Sequence, residues 1–118
     1  MLRVIITDHR LWRYRLYQAV LGMAAMPEPQ AIADFHACRL GRWIDGQSVV
    51  DQARWPEFSD IVQRHQRFHQ TARLLVDQWQ QTREASRDLF RDLIQQGRDL
   101  SDRLEQWARM AESQKGRE

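Results

Sequence analysis

The chain has 118 residues, of which 42% are hydrophobic, enough for the core of one small domain. Its single cysteine excludes an intrachain disulfide framework and fits a reducing compartment. The net charge is only +2 although the pI is about 9.2, and Lys115 is the only lysine in an arginine-dominated set of bases.

A pI that high invites a nucleic-acid reading, but the charge distribution opposes it. From Gln80 onward, bases and acids alternate at helical spacing, as in Arg83, Glu84, Arg87, Asp88, Arg91 and Asp92. That pattern describes a solvated, ion-paired helix face. Residues 1 to 12 are expected not to act as a secretory leader, because Arg3 and Asp8 interrupt the apolar run. No apolar stretch is long enough to span a membrane. The expectation is a cytoplasmic protein with no nucleic-acid or membrane partner.

Taken in order, the elements are nearly all helical. The first helix is expected from about Leu2 to Met26, with the stripe Ile5, His9, Trp12, Leu16, Val20 and Met23. Pro27 and Pro29 stop it. A second helix is expected from about Pro29 to Leu40, ending at Gly41, with Ala31, Phe35 and Cys38 on one face. His36 lies two residues from Cys38 and points elsewhere. Residues 43 to 55 read as irregular, and Pro56 suits the first turn of a third helix. That helix carries the stripe Phe58, Val62, His65, His69, Ala72, Val76 and Trp79. A fourth segment, from about Arg83 to Ala111, repeats at three and four through Phe90, Leu93, Gly97, Leu100, Leu104, Trp107 and Ala111. It either continues the third helix or restarts near a capping Thr82. Gly97 costs about 1 kcal/mol against Ala inside a helix and marks a kink or turn. The fold class is therefore all-α: a bundle of four to five helices over residues 1–112, with 113–118 as a frayed tail.

His9, Cys38, His65 and His69 each fall on a stripe that their helix should bury. His65 and His69, four apart, leave the same face of one helix. Taken singly, such residues are ordinary hydrogen-bonded or half-buried side chains. Together they are three imidazoles and one thiolate, the set that completes a tetrahedral zinc shell. Burying three imidazoles without partners is costly, and a zinc ion removes that cost.

The ordered pattern resembles a known family. His9 with Trp12, then Cys38-Arg39-Leu40-Gly41-Arg42-Trp43, then His65-Gln66-Arg67-Phe68-His69 is similar to the chemoreceptor zinc-binding (CZB) domain, over about residues 3 to 79. The resemblance implies a small helical bundle, usually dimeric, with one zinc held by three His and one Cys. It implies His9, Cys38, His65 and His69 as metal ligands, with Trp12, Leu40, Gly41 and Trp43 in support. Members are typically attached to bacterial cytoplasmic chemoreceptors or diguanylate cyclases, where they sense zinc or oxidants. No cyclase fits after Ala111 and no receptor hairpin precedes Leu2, so the chain is expected to be either a free-standing sensor or a fragment.

Three functions compete on these residues. The first is a non-catalytic zinc-binding sensory module, linked to chemotaxis or cyclic-di-GMP signalling, because a closed ligand set leaves no position for an activated water. Zinc and the nearby Arg39 or Arg42 would favour the thiolate of Cys38, the form that oxidants attack. The second is a zinc hydrolase on His65 and His69, but Gln66 stands where a zincin has its general-base Glu. The third is a plain helical interaction protein whose Leu93, Leu100, Leu104 and Trp107 form a seam for a partner. The same stripe is expected to favour a homodimer, since three helices already supply a core.

Overall fold

The computed structural model describes residues 2–27, 32, 38–47, 55 and 57–115. They form four α-helices, with no strand among the described residues: α1 (Leu2–Val20), α2 (Arg39–Asp45), α3 (Glu57–Thr82) and α4 (Arg87–Lys115). The two long helices lie side by side, and α1 and α2 complete an elongated bundle of 54 × 22 × 21 Å.

Each helix end has a local cause. α1 stops at Val20, six residues before the expected end. Gly22 takes a left-handed φ of +78°, and the amides of Leu21, Gly22 and Met23 fold back onto carbonyls of the last turn. The glycine, rather than Pro27, ends the helix. α2 corrects the expectation more sharply. Cys38 caps the start of a helix that runs through Gly41, where the expected one stops: it is the N-cap residue, and its Sγ accepts from the Gly41 amide at 3.3 Å. Gly41 is thus interior, and residues 43 to 45 are helical rather than irregular. The rest of the expected second helix, with Ala31, Phe35 and His36, lies outside the described residues, as does Pro56.

α3 opens with Glu57 and Asp60 in its first turn, where carboxylates complement the exposed amides. α3 and α4 are separate helices. The chain turns at Arg83, φ 59°, with its guanidinium over the Trp79 ring. Thr82 does not cap α4. Ser86 does, since its Oγ accepts from the Leu89 amide at 3.3 Å. α4 runs on to Lys115, three residues into the segment read as a tail, and residues 116–118 lie outside the described residues.

The core has two apolar halves. One joins Ile5, Ile6, Leu40, Ile44, Phe58, Ile61, Leu100, Leu104 and Trp107. The other joins Leu16, Ile32, Phe68, Ala72, Leu75, Val76 and Leu93. The stripe from Leu93 to Trp107 is therefore buried inside the subunit, which removes it as a free seam for a partner. Between the halves runs a polar waist. His9, Arg13, His65, His69 and Ser101 are all buried there, one helical turn from apolar residues above and below.

α1 and α4 are antiparallel, and polar pairs step along their contact: Arg3 with Glu112 at 2.9 Å, Arg10 with Glu105 at 2.5 Å and Arg13 with Ser101 at 2.8 Å. Gly97 is no turn, since α4 runs through it unbroken. It is a notch: a Cβ there would meet Nη1 of Arg13, Tyr17 Oη at 2.7 Å and Arg13 Cδ at 2.9 Å. On an open helix face Gly→Ala gains about 1 kcal/mol. Here Gly97→Ala should instead cost about 1–3 kcal/mol by overpacking, read as a lower urea midpoint with an unchanged slope.

Candidate metal centre

Three helices bring the four predicted residues together. α1 supplies His9, the cap of α2 supplies Cys38, and α3 supplies His65 and His69. One donor atom from each lies within 4.8 Å of the other three. A tetrahedral zinc with Zn–N of about 2.0–2.1 Å and Zn–S of about 2.3 Å has edges of roughly 3.3–3.7 Å, so modest contraction closes the set. Cys38 Sγ and His65 Nε2 are already 3.1 Å apart.

The surroundings suit neutral imidazole and thiolate donors. Nδ1 of His69 donates to the Ile32 carbonyl at 2.7 Å. That bond selects the tautomer that leaves Nε2 free of a proton, the usual outer-shell device at a metal-binding histidine. The Gly41 amide donates to Cys38 Sγ, which favours a thiolate. Nε2 of His9 is buried and has no hydrogen-bond partner among the described residues. An orphaned imidazole nitrogen facing three other soft donors is what a metal ion would satisfy. Zinc fits these residues.

The supporting positions surround this set. Trp12 lies against the ring of His69 at 5.0 Å and that of His9 at 5.7 Å. Leu40 is buried beneath α2, and Gly41 supplies the amide described above. Trp43 stands farther off, edge-on to Trp107 at 4.9 Å. Asp8 pairs with Arg39 at 2.9 Å, tying α1 to the start of α2 beside Cys38. His36 lies outside the described residues.

Burial holds the pKa of His9 well below its ordinary 6.5, helped by the nearby His65 and His69 and by the Arg13 charge. The folded state thus takes His9 neutral, whereas the unfolded chain protonates it near 6.5. The contribution of His9 is complete above that value and is lost as pH falls below it toward the depressed folded value. Metal-free protein should accordingly unfold at lower urea at pH 5.5 than at pH 7.5, and His9→Phe should shrink the difference.

Residues 9–76 match the family model of the chemoreceptor zinc-binding domain, CZB. The chain belongs to the CZB family. The matched segment begins at His9 and includes Cys38, His65 and His69. No curated protein and no solved structure matches the chain. CZB is a regulatory zinc-binding family and not a known catalytic one, so zinc is the metal that this donor set fits by both chemistry and kinship.

Sequence reasoning passed over two participants in the CZB waist and misread a third. The Ile32 carbonyl carries no residue-type signal. Gly97 was placed on the buried stripe but read as a kink or turn, whereas its missing side chain makes room for Arg13 and Tyr17. Arg13 follows His9 by four, so its position on the same face was available from spacing. Among the described residues no helix is long and apolar enough to cross a membrane.

Proposed function

We propose that this CZB chain is a non-catalytic, cytoplasmic regulatory module whose signal is the state of one zinc held by His9, Cys38, His65 and His69. The observation that carries the reading is the four-donor cluster spanning three helices. Four protein donors close a tetrahedral shell and leave no place for an activated water. Gln66, following His65, offers no general base. Bound metal would clamp α1 and the α2 cap to α3, so that losing it changes the bundle's shape.

Cys38 is the donor through which the site would respond to oxidants. It is only half-buried, and it lines a groove of about 480 Å³ with Asp8, Trp12, Arg15 and Arg42. Hydrogen peroxide arriving there would transfer one oxygen atom to the thiolate sulfur, its O–O bond breaking, and leave as water. The resulting sulfenate is a poorer zinc ligand. We further propose a homodimer, now on a different surface from the buried α4 stripe. Val4, Leu11 and Tyr14 are about half exposed on the outer face of α1, and their spacing of seven and three is that of a helix–helix seam. The output would be a signalling partner of the chemoreceptor or diguanylate cyclase kind.

Native mass spectrometry should show one zinc per subunit and two subunits. A zinc-dye assay during peroxide titration should then show release that tracks Cys38 modification. Full retention while the exposed Met23 oxidises would retire oxidant sensing and leave zinc sensing. A metal-free monomer would overturn the reading as a whole.

A further inference from the structure

Arg13 is the one buried arginine among the described residues of the waist, and the zinc-binding reading does not use it. It is 4% exposed and sits one helical turn after His9, on the same face of α1. Its Nη2 donates to Ser101 Oγ at 2.8 Å, its Nε has no hydrogen-bond partner among the described residues, and its guanidinium carbon lies 5.8 Å from the centre of the Tyr14 ring. No carboxylate among the described residues pairs with it. Arg10, by contrast, three residues before it, reaches Glu105. The opposing helix is shaped to receive this cation, because any side chain at Gly97 would occupy the space that the guanidinium fills.

A buried cation without a counterion is expensive. Its position makes that cost bear on the metal. Zinc, one thiolate and three neutral imidazoles together carry a single positive charge. Loading the centre therefore places a second positive charge at His9, one turn of α1 from Arg13, in a buried region where screening by salt is weak. The apolar halves on either side offer no compensating charge.

We propose that Arg13 is an affinity-setting residue: its unpaired buried charge weakens zinc binding at the neighbouring centre and keeps the metal releasable. The inference rests on zinc occupying the four-donor site. A unit charge about 8 Å away, at an effective dielectric of about 20, is worth roughly ten- to thirtyfold in affinity. Removing or neutralising that charge should tighten binding, which is the opposite of what a merely structural residue would do.

The test is competition for zinc against a chromophoric chelator at pH 7.5. The thiolate-to-cobalt absorption of cobalt-loaded protein serves as a second readout of the same centre. Arg13→Met should bind zinc roughly ten- to thirtyfold more tightly than the unaltered protein. Ser101→Asp keeps the arginine and gives it a carboxylate, and it should tighten binding in the same direction. Arg13→Lys keeps the charge and should stay within about threefold of the unaltered protein. Circular dichroism reports folding, and if Arg13→Met does not fold, Ser101→Asp carries the test alone. Unchanged or weaker zinc binding in the folded variants overturns the proposal while leaving the metal site standing. So does equal tightening in Arg13→Lys, which would make packing the cause. Failure of the unaltered protein to bind zinc or cobalt overturns both.

Discussion

Stripping zinc from the protein should lower its melting temperature by roughly 12–24 °C. Without the ion, three imidazoles and a thiol remain packed between two apolar halves, and Nε2 of His9 stays desolvated with nothing to bind. Zinc binds the folded chain and has no assembled site in the unfolded one, so its free energy of binding adds to that of folding. At a free zinc concentration a thousand times the dissociation constant the gain is about 4 kcal/mol. For a domain of this size each kcal/mol moves the melting temperature by roughly 3–6 °C. Scanning calorimetry with chelator, then with zinc restored, measures the shift. Traces that agree within about 2 °C would remove zinc from the stability of the fold.

Loss of a single donor should cost more zinc affinity than the roughly 10–100-fold attached to an outer-shell partner. His69→Ala removes one ligand and also strands the Ile32 carbonyl that its Nδ1 serves. Cys38→Ala removes the thiolate and uncaps α2, and uncapping costs about 0.5–2 kcal/mol by itself. Cys38→Ser separates the two effects: the hydroxyl keeps the bond to the Gly41 amide but is a poor zinc ligand. It should melt close to metal-free unaltered protein and bind little zinc. Metal content by atomic emission should fall in all three variants and stay whole in His36→Ala. Full occupancy in the Cys38→Ala, His69→Ala double variant would sink the ligand assignment.

The three histidine donors were readable from the sequence because each sits on a stripe whose period locates it. His65 and His69 share a face by spacing alone, and His9 lies between Ile5 and Trp12 on the stripe of α1. The CZB resemblance linked Cys38 to them. Helix existence was legible for the same reason. Boundaries were less so, since they depend on single backbone choices. Gly22 in a left-handed conformation ends α1 well before the prolines, and the sulfur of Cys38 caps a helix that spacing had ended there. A cysteine is not an ordinary N-cap residue, and nothing in its surroundings advertised the role. Ser86 had the right chemistry but stood four residues from Thr82, which had it too. The burial of Leu93, Leu100 and Leu104 within the subunit was out of reach, because an apolar stripe does not say which surface will cover it.

The tryptophans of this chain divide by neighbourhood. Trp12 is packed against the imidazoles of His9 and His69. Trp43 and Trp55 gather around Trp107, and Trp79 lies under Arg83. One indole therefore occupies the place where an added chromophore would otherwise be needed. Ultraviolet emission from Trp12 is open to quenching by the adjacent rings, and the extent of quenching depends on whether those rings hold a proton, a metal or neither. The other four are packed against other partners, and Trp12→Phe would isolate the Trp12 signal by subtraction. The metal centre comes with its own optical reporter, and unlabelled protein can be followed through loading and release in real time.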